Sequence, residues 1–532
     1  TLSPARRYPY RVKQTRDSPA LSDTTETSAS PPPPHDAADA PPDAGGAAQH
    51  TTDASPDASA LPHDAYGALR EPNYRFFAGG WSLASLGLQM QGTALGWEVY
   101  EKTNDPMSLG YVSLARAFPV VLLALPAGQI VDMLDRRRIL LVTQIAFALA
   151  SVLLAVGSAA SAGMPWIYAL VALTGCARVF NGPCRSSLLP QIVRPENFQN
   201  AVTWNSSVFQ ASATLGPLAA GGLIWLTAWL GLGRDAAGVA RGVAWPVYLI
   251  AATTAAIMAA SCIMIRPYPD LVARNGRGGR TASVFEAVRP SVMLPGMLEG
   301  LRHLWREKTV FGAIVLDLFA VLLGGATALL PIYAKDILNA GPIGLGALRA
   351  SPYVGALIVA IVMAHRPSFE RTGRALLVSV AGYGLCTIGF GYSTDFWLSL
   401  ALLLGLGALD GVSVIIRHVL VSVRTPDHLR GRVNAVNAVF IESSNELGGF
   451  RSAVAASWMS PVMSVVTGGA GTILVVLGIA LGLPELRRLG KLGAPTVEAP
   501  PVRPPGGGEG ATSSAGTSHG PAAAEAPSAG AS

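Results

Sequence analysis

About twelve stretches of roughly 20 apolar residues, separated by short polar connections, fill this chain from Asn73 to Leu483. A helix rises about 1.5 Å per residue, so each stretch can cross roughly 30 Å of hydrocarbon. Backbone groups in lipid must be bonded within their own segment, and these runs lack the period-two alternation of a barrel. The chain is therefore expected to be an all-α membrane protein with twelve transmembrane helices. Its average composition, 50% hydrophobic and 14% charged, understates this because polar residues gather at the two ends.

Residues 1–72 and 485–532 are rich in Pro, Ala, Gly, Ser and Asp and carry no long apolar run. Such composition cannot offset chain entropy by burial, so both are expected to be disordered tails. The first tail has no apolar core of the kind a secretory signal peptide carries. The chain opens at Thr1 and its first methionine is Met90, so the sequence is expected to be truncated or to have a misassigned start. Cys176, Cys184, Cys262 and Cys386 show no metal or disulfide spacing, and the histidines are scattered, so no metal or other cofactor is expected.

The formal charge of +6 could suggest a nucleic-acid partner, but its arginines follow the apolar runs. Arg136, Arg137, Arg138, Arg366, Arg371, Arg374, Arg424, Arg430, Arg432, Arg487 and Arg488 fall on one predicted side, against Lys102, Arg234, Arg241 and Lys335 on the other. Retention of basic loops in the cytoplasm explains that bias and places both termini there. The expected divisions are a six-helix bundle over 73–266, a basic connector over 267–308, and a second bundle over 309–484.

Shifting the chain by about 232 residues lays the second bundle on the first. Arg116 and Pro119 meet Arg349 and Pro352, Tyr100 and Lys102 meet Tyr333 and Lys335, Arg185 meets Arg417, Asn205 meets Asn437, and Leu215-Gly216 meets Leu447-Gly448. Two pseudo-symmetric halves in parallel repeat are one of the architectures that secondary transporters use.

The turn between the second and third runs carries Gly128, Asp132, Arg136 and Arg137, and it resembles the signature loop of the major facilitator superfamily. It departs from the family pattern at Met133 and Asp135. Gly216, Pro217 and Gly221 resemble the antiporter signature with one extra residue. Gln89-Met90-Gln91, Leu316-Asp317-Leu318-Phe319-Ala320 and Ser444-Asn445-Glu446-Leu447-Gly448 resemble the bacterial efflux branch that contains enterobactin exporters and macrolide pumps. Gly449 and Arg451 depart from that branch. The resemblance implies the major facilitator fold, a location in the bacterial inner membrane, and a central cavity lined by helices 1, 4, 7 and 10.

Charges inside membrane helices cost about 2.5 to 3.5 kcal/mol each on insertion scales, so they usually face a cavity or a partner. Glu98, Arg178, Asp317 and Asp410 stand on the four helices that the resemblance places around the cavity. Arg178 and Asp410 are equivalent in the repeat, opposite in charge and at similar depth, roughly 18 to 21 Å from the outer ends. They are expected to interact, either within a cargo site with Gln89, Gln91, Asn205 and Asn437, or simply to hold the bundle together. Arg116 and Arg349 keep the symmetry and are expected to be structural anchors, as are the close-packing pairs Gly92 with Gly96 and Gly407 with Gly411.

Asp317, about 11 Å into its helix, is the expected carrier of a coupling proton. Glu98, near the outer end and expected to face water, is the alternative; Glu442 and Glu446, one turn apart, rank behind. Asp132, with Gly128, Arg136 and Arg137, is expected to form a cytoplasmic gate. No stretch resembles a phosphate-binding loop, so no nucleotide is expected to drive transport. These features point to a monomeric proton-coupled exporter of a small amphipathic molecule. Uptake, lysophospholipid flipping, and more remotely a membrane-embedded enzyme or sensor are the other readings.

Overall fold

The computed structural model describes residues 64–232, 242–274, 301–302, 304–365 and 369–491. Residues 1–63 and 492–532 of the expected tails, and most of the central connector, lie outside these residues; 64–72 and 485–491 are ordered instead, with helical turns at Gly67–Arg70 and Pro484–Arg487 that bury Ala68 and Leu486. Six long helices come first: α1 (Pro72–Thr103), α2 (Pro106–Met133), α3 (Arg136–Ala159), α4 (Met164–Ile192), α5 (Phe198–Trp229) and α6 (Trp245–Met264). Six follow: α7 (from Lys308–Gly324), α8 (Gly341–Ala364), α9 (Thr372–Tyr392), α10 (Phe396–Arg424), α11 (Asp427–Trp458) and α12 (Pro461–Gly482).

Local sequence explains where these helices begin. Asp105, Asp135, Asp395 and Ser460 cap α2, α3, α10 and α12 by accepting backbone N–H bonds of 3.0, 3.0, 2.8 and 3.1 Å. Asp135, a departure from the signature loop, thus has a structural reason to be acidic.

Nine spans are long and apolar enough to cross a membrane among the described residues. The long helices that fall short are α1, α4 and α11, and each contributes polar side chains to the molecule's centre. Burial inside a bundle lets them carry charges that lipid would not tolerate. Around the outside, Leu474, Leu481 and Phe118 are exposed, and Trp229, Trp397 and Trp458 ring the end opposite the basic loops. Such rings sit at the headgroup level of a bilayer.

The seventh span, Lys308–Ile337, is not one continuous α-helix. After Gly324 the chain passes through a 3₁₀ turn (Ala326–Leu329), a short α turn (Leu330–Ile332) and a π turn (Tyr333–Ile337). A Cβ on Gly325 would lie 2.7 Å from the Gly448 carbonyl of α11, and Pro331 has no N–H to continue the ladder. Close approach of α11 and a missing donor together interrupt α7.

The repeat is visible in the packing itself. Gly175 of α4 meets Pro119 of α2, and Gly407 of α10 meets Pro352 of α8. Gly216 of α5 lies against Gln89 of α1, and Gly448 of α11 against Val321 of α7. Between bundles, Gly110 of α2 abuts Ala453 of α11, while Gly221 of α5 abuts Ile343 of α8.

At the end away from the basic loops, one hydrophobic core contains residues of both bundles, including Leu95, Tyr248, Leu330 and Phe390. At the basic end the core divides. Phe77, Leu188 and Ile192 belong to a cluster of the first bundle alone, and Val310, Leu376 and Leu420 to one of the second. Among the described residues the bundles thus share a hydrophobic core at one end and not at the other.

Candidate functional site: a charged cavity between the bundles

Below the shared core lies a cavity of about 350 Å³, bounded by α1, α2, α3, α4, α5, α8, α11 and the break in α7. Its charged groups are Arg116, Arg178, Arg349, Glu442 and Glu446, with Gln89, Gln91 and Tyr353 beside them. Taking the helical rise as about 1.5 Å, the arginines sit about 12 to 21 Å from the helix ends opposite the basic loops, near mid-membrane.

Arg178 of α4 crosses to the other bundle, with Nη2 3.2 Å from Glu442 Oε2 and Nη1 3.7 Å from Glu446 Oε1. The two glutamates share a face of α11 because they are four residues apart. The expected pairing of Arg178 with Asp410 is therefore corrected. Asp410 does not line the cavity; it lies within electrostatic reach of Asp317 and Arg417, inside the second bundle. Equal depth fixes the height of two residues, not the direction each faces.

Arg116 and Arg349, expected to be anchors, line the cavity instead. Arg349 Nη1 donates to the Gly92 carbonyl of α1 at 3.1 Å, across the bundle interface. Gly92 and Gly96 also line this space, so their small size admits the guanidinium groups. Gly407 and Gly411 do serve packing, against Pro352 and Ala356 of α8.

Asp317 forms an ion pair with Arg417, each side chain less than a tenth exposed. His418 also lies within electrostatic reach of Asp317. This pair joins α7 to α10 within one bundle and stands outside the cavity lining. Glu98 is corrected too: only 3% exposed, it is held 2.7 Å from Lys102 Nζ rather than facing water. Lys102 is one turn further along α1 and reaches back to it.

Gln89 and Gln91 line the cavity, and Gln91 accepts a 3.5 Å bond from the Ser151 hydroxyl. Asn205 and Asn437 do not. Asn205 accepts a 3.4 Å bond from Tyr74, and Asn437 is buried with its carbonyl oxygen unbonded among the described residues.

In the signature loop, Gly128 has open space around it, and Arg136 is buried at the start of α3. Arg137 donates to the carbonyls of Cys262 and Ile263 at 2.6 and 2.7 Å, tying α3 to the last turn of α6. The Asp132 side chain lies outside the described set, and the gate expected there with it. Gly216, Pro217 and Gly221 lie where α5 meets α1 and α8: a Cβ on Gly346 of α8 would come 2.5 Å from the Pro217 carbonyl.

At the end away from the basic loops, Lys335 bridges the bundles to Glu101 (3.2 Å) and Asn104 (2.6 Å), and Tyr100 donates to Asp336. Among the described residues no group of three or more His, Cys, Asp or Glu is placed to hold a metal ion.

Residues 77–449 match the family model of the Major Facilitator Superfamily. Enterobactin exporter EntS of Citrobacter koseri is 27% identical over 196 residues, 37% of this chain and 47% of that protein. EntS of Salmonella typhi is 27% identical over 194 residues, 36% and 46% of the two chains. The chain thus spans about half the length of the curated relatives it matches.

The nucleoside transporter NupG superposes with a TM-score of 0.56 at 14% identity, over 77% of this chain and 98% of its own. The inward open xylose transporter XylE from E. coli gives 0.52 at 13%, over 77% and 95%. At such identities these structures are similar in fold alone. With the family match running from α1 into α11, across two bundles that enclose a polar cavity, this multi-pass membrane chain belongs to the major facilitator superfamily of transporters.

Proposed function

We propose that the chain is a monomeric secondary transporter that exports a small amphipathic molecule across a bacterial inner membrane in exchange for protons. The observation that carries this reading is the one-ended closure of the cavity: a core shared by both bundles seals one end, while separate cores leave the basic end divided. With the basic loops and both termini in the cytoplasm, this is an inward-facing state, the one in which an exporter loads cargo and an importer releases it. Export of enterobactin is said of relatives that match over part of their length, and it favours outward transport.

Asp317 carries the coupling proton in this reading. A proton on its carboxylate would cancel the charge that holds Arg417 and so loosen α7 from α10, a change within one bundle that can bias how the bundles rock. Glu442 and Glu446, tied to Arg178 across the interface, and Glu98, tied to Lys102, are the alternative carriers.

Everted vesicles holding a proton gradient test both parts. Amphipathic compounds accepted as cargo should accumulate in everted vesicles, dissipate the gradient, and leave it intact in vesicles bearing Asp317→Asn. Accumulation only in right-side-out vesicles would show uptake. Normal gradient dissipation by Asp317→Asn would move the proton to another carboxylate.

A further inference from the structure

We infer that Arg116 and Arg349 together form an anion site, so that the cargo is an organic anion with an apolar body, its acidic group bridging the two guanidinium groups. The inference rests on this cavity being the cargo site.

The two side chains come from opposite bundles and converge on one point. A Cβ built on Gly92 would have Arg349 Nη2 at 3.9 Å and Arg116 Nη2 at 4.0 Å, so the tips can be no farther apart than those distances together. A Cβ on Gly96 would lie 3.5 Å from Arg349 Nη1. Two glycines one turn apart on α1 therefore open the space into which the cations reach.

Neither cation has a carboxylate within ion-pair distance, and Glu446, which lies within electrostatic reach of both, is already engaged by Arg178. Arg178 engages both glutamates of the cavity. Arg349 makes its one hydrogen bond to the Gly92 carbonyl, and Arg116 makes neither a hydrogen bond nor an ion pair among the described residues. Three guanidinium groups face two carboxylates, which leaves one positive charge in excess when both glutamates are ionised. Like charges held close inside a protein repel, and an incoming anion offsets both that repulsion and the cost of burial. Planar guanidinium forks match the oxygens of a carboxylate, sulfonate or phosphate.

Part of the remaining wall is apolar, beside polar groups such as Gln89, Gln91 and Tyr353. Leu88, Leu95, Phe147 and Phe209 line the same space, which suits an aliphatic or aromatic body attached to the acid. An anion held by one arginine from each bundle would also draw α2 and α8 towards each other. Recognition and closure would then use the same contacts.

Equilibrium binding to the purified full-length chain, in detergent and without a gradient, tests the site. The probes are 2-naphthoate and its neutral isostere 2-naphthamide. The expected result is naphthoate binding at least tenfold tighter than naphthamide. Arg116→Gln and Arg349→Gln should each weaken naphthoate at least tenfold and leave naphthamide unchanged, with Arg116→Lys and Arg349→Lys falling between.

Equal binding of the two probes, no binding of naphthoate, or Gln variants that bind naphthoate as the parent does would each overturn the proposal. Comparing Gln with Lys separates loss of charge from loss of fold, since both variants must elute as the parent does. A protein that binds naphthoate by these arginines but fails the vesicle experiment would retain the anion site and lose the exporter reading.

Discussion

Arg185 and Arg417 hold the same place in the two bundles and keep different company. Arg185 lies 4.1 Å over the Trp81 ring, whereas Arg417 is paired with Asp317. An aromatic face steadies a cation but cannot exchange a proton with water; a carboxylate can do both. Arg116 and Arg349 show the opposite relation, because both equivalents face one shared cavity. The repeat is preserved where the halves meet around the cavity and broken where one half alone pairs its arginine with a carboxylate.

This division also orders the signs of coupling. A carboxylate sharing a cavity with an anion gains its proton more readily when the anion is present, so proton and cargo would move together. Exchange of an anion for a proton therefore needs its carrier elsewhere, and Asp317 stands outside the cavity lining.

The largest expected effect sharpens the comparison directly. Arg417→Gln strands Asp317 as an unpaired buried group and should cost about 3 to 5 kcal/mol, read as a large fall in thermal stability in detergent. Arg185→Gln removes only a cation–π contact and should cost about 0.5 to 2 kcal/mol. Equal losses would mean that the bundles use this position alike.

The seam between the bundles offers the next test. Gly221→Val places atoms against the Pro342 carbonyl and Ile343 of α8, an overpacking that should cost about 1 to 3 kcal/mol in the closed outer seam. Spin-label distances between α5 and α8 should lengthen at that end, and transport should fall. Unchanged distances would show that the one-ended closure does not depend on glycine there.

A smaller shift is expected at the outer bridge. Lys335 and Glu101 are both partly exposed, so Lys335→Gln should weaken closure by about 0.2 to 1 kcal/mol, a few-fold change in the outward-open population by the same labels. The smallest effect concerns residues that belong to neither bundle. Deleting residues 1–63 should leave transport within error of the parent, because that segment has no apolar period. Extending the deletion through Ala65 removes a carbonyl that accepts bonds from Asn200 and Trp204 of α5, and should lower stability.

Much of the architecture was legible in residue order. Apolar runs of membrane length, the bias of arginine to one side and the internal repeat each follow from solvation or local geometry, and these act along the chain. The capped helix starts at Asp105, Asp135 and Asp395 are equally local.

The direction each charge faces is not local. Rotation of a helix about its axis is set by what it packs against, as Gly407 and Gly411 set α10 against α8 and leave Asp410 within its own bundle. The break in α7 depends on α11 approaching Gly325, and the burial of Glu98 on Lys102 folding back over it. Arg116 and Arg349 show the same limit: symmetry in the sequence fits an anchor as well as a shared site. Sequence thus determined which charges enter the membrane and at what depth, because crossing lipid is a property of each segment. Tertiary structure decided which of them meet, because a partner is chosen only when two faces are packed together.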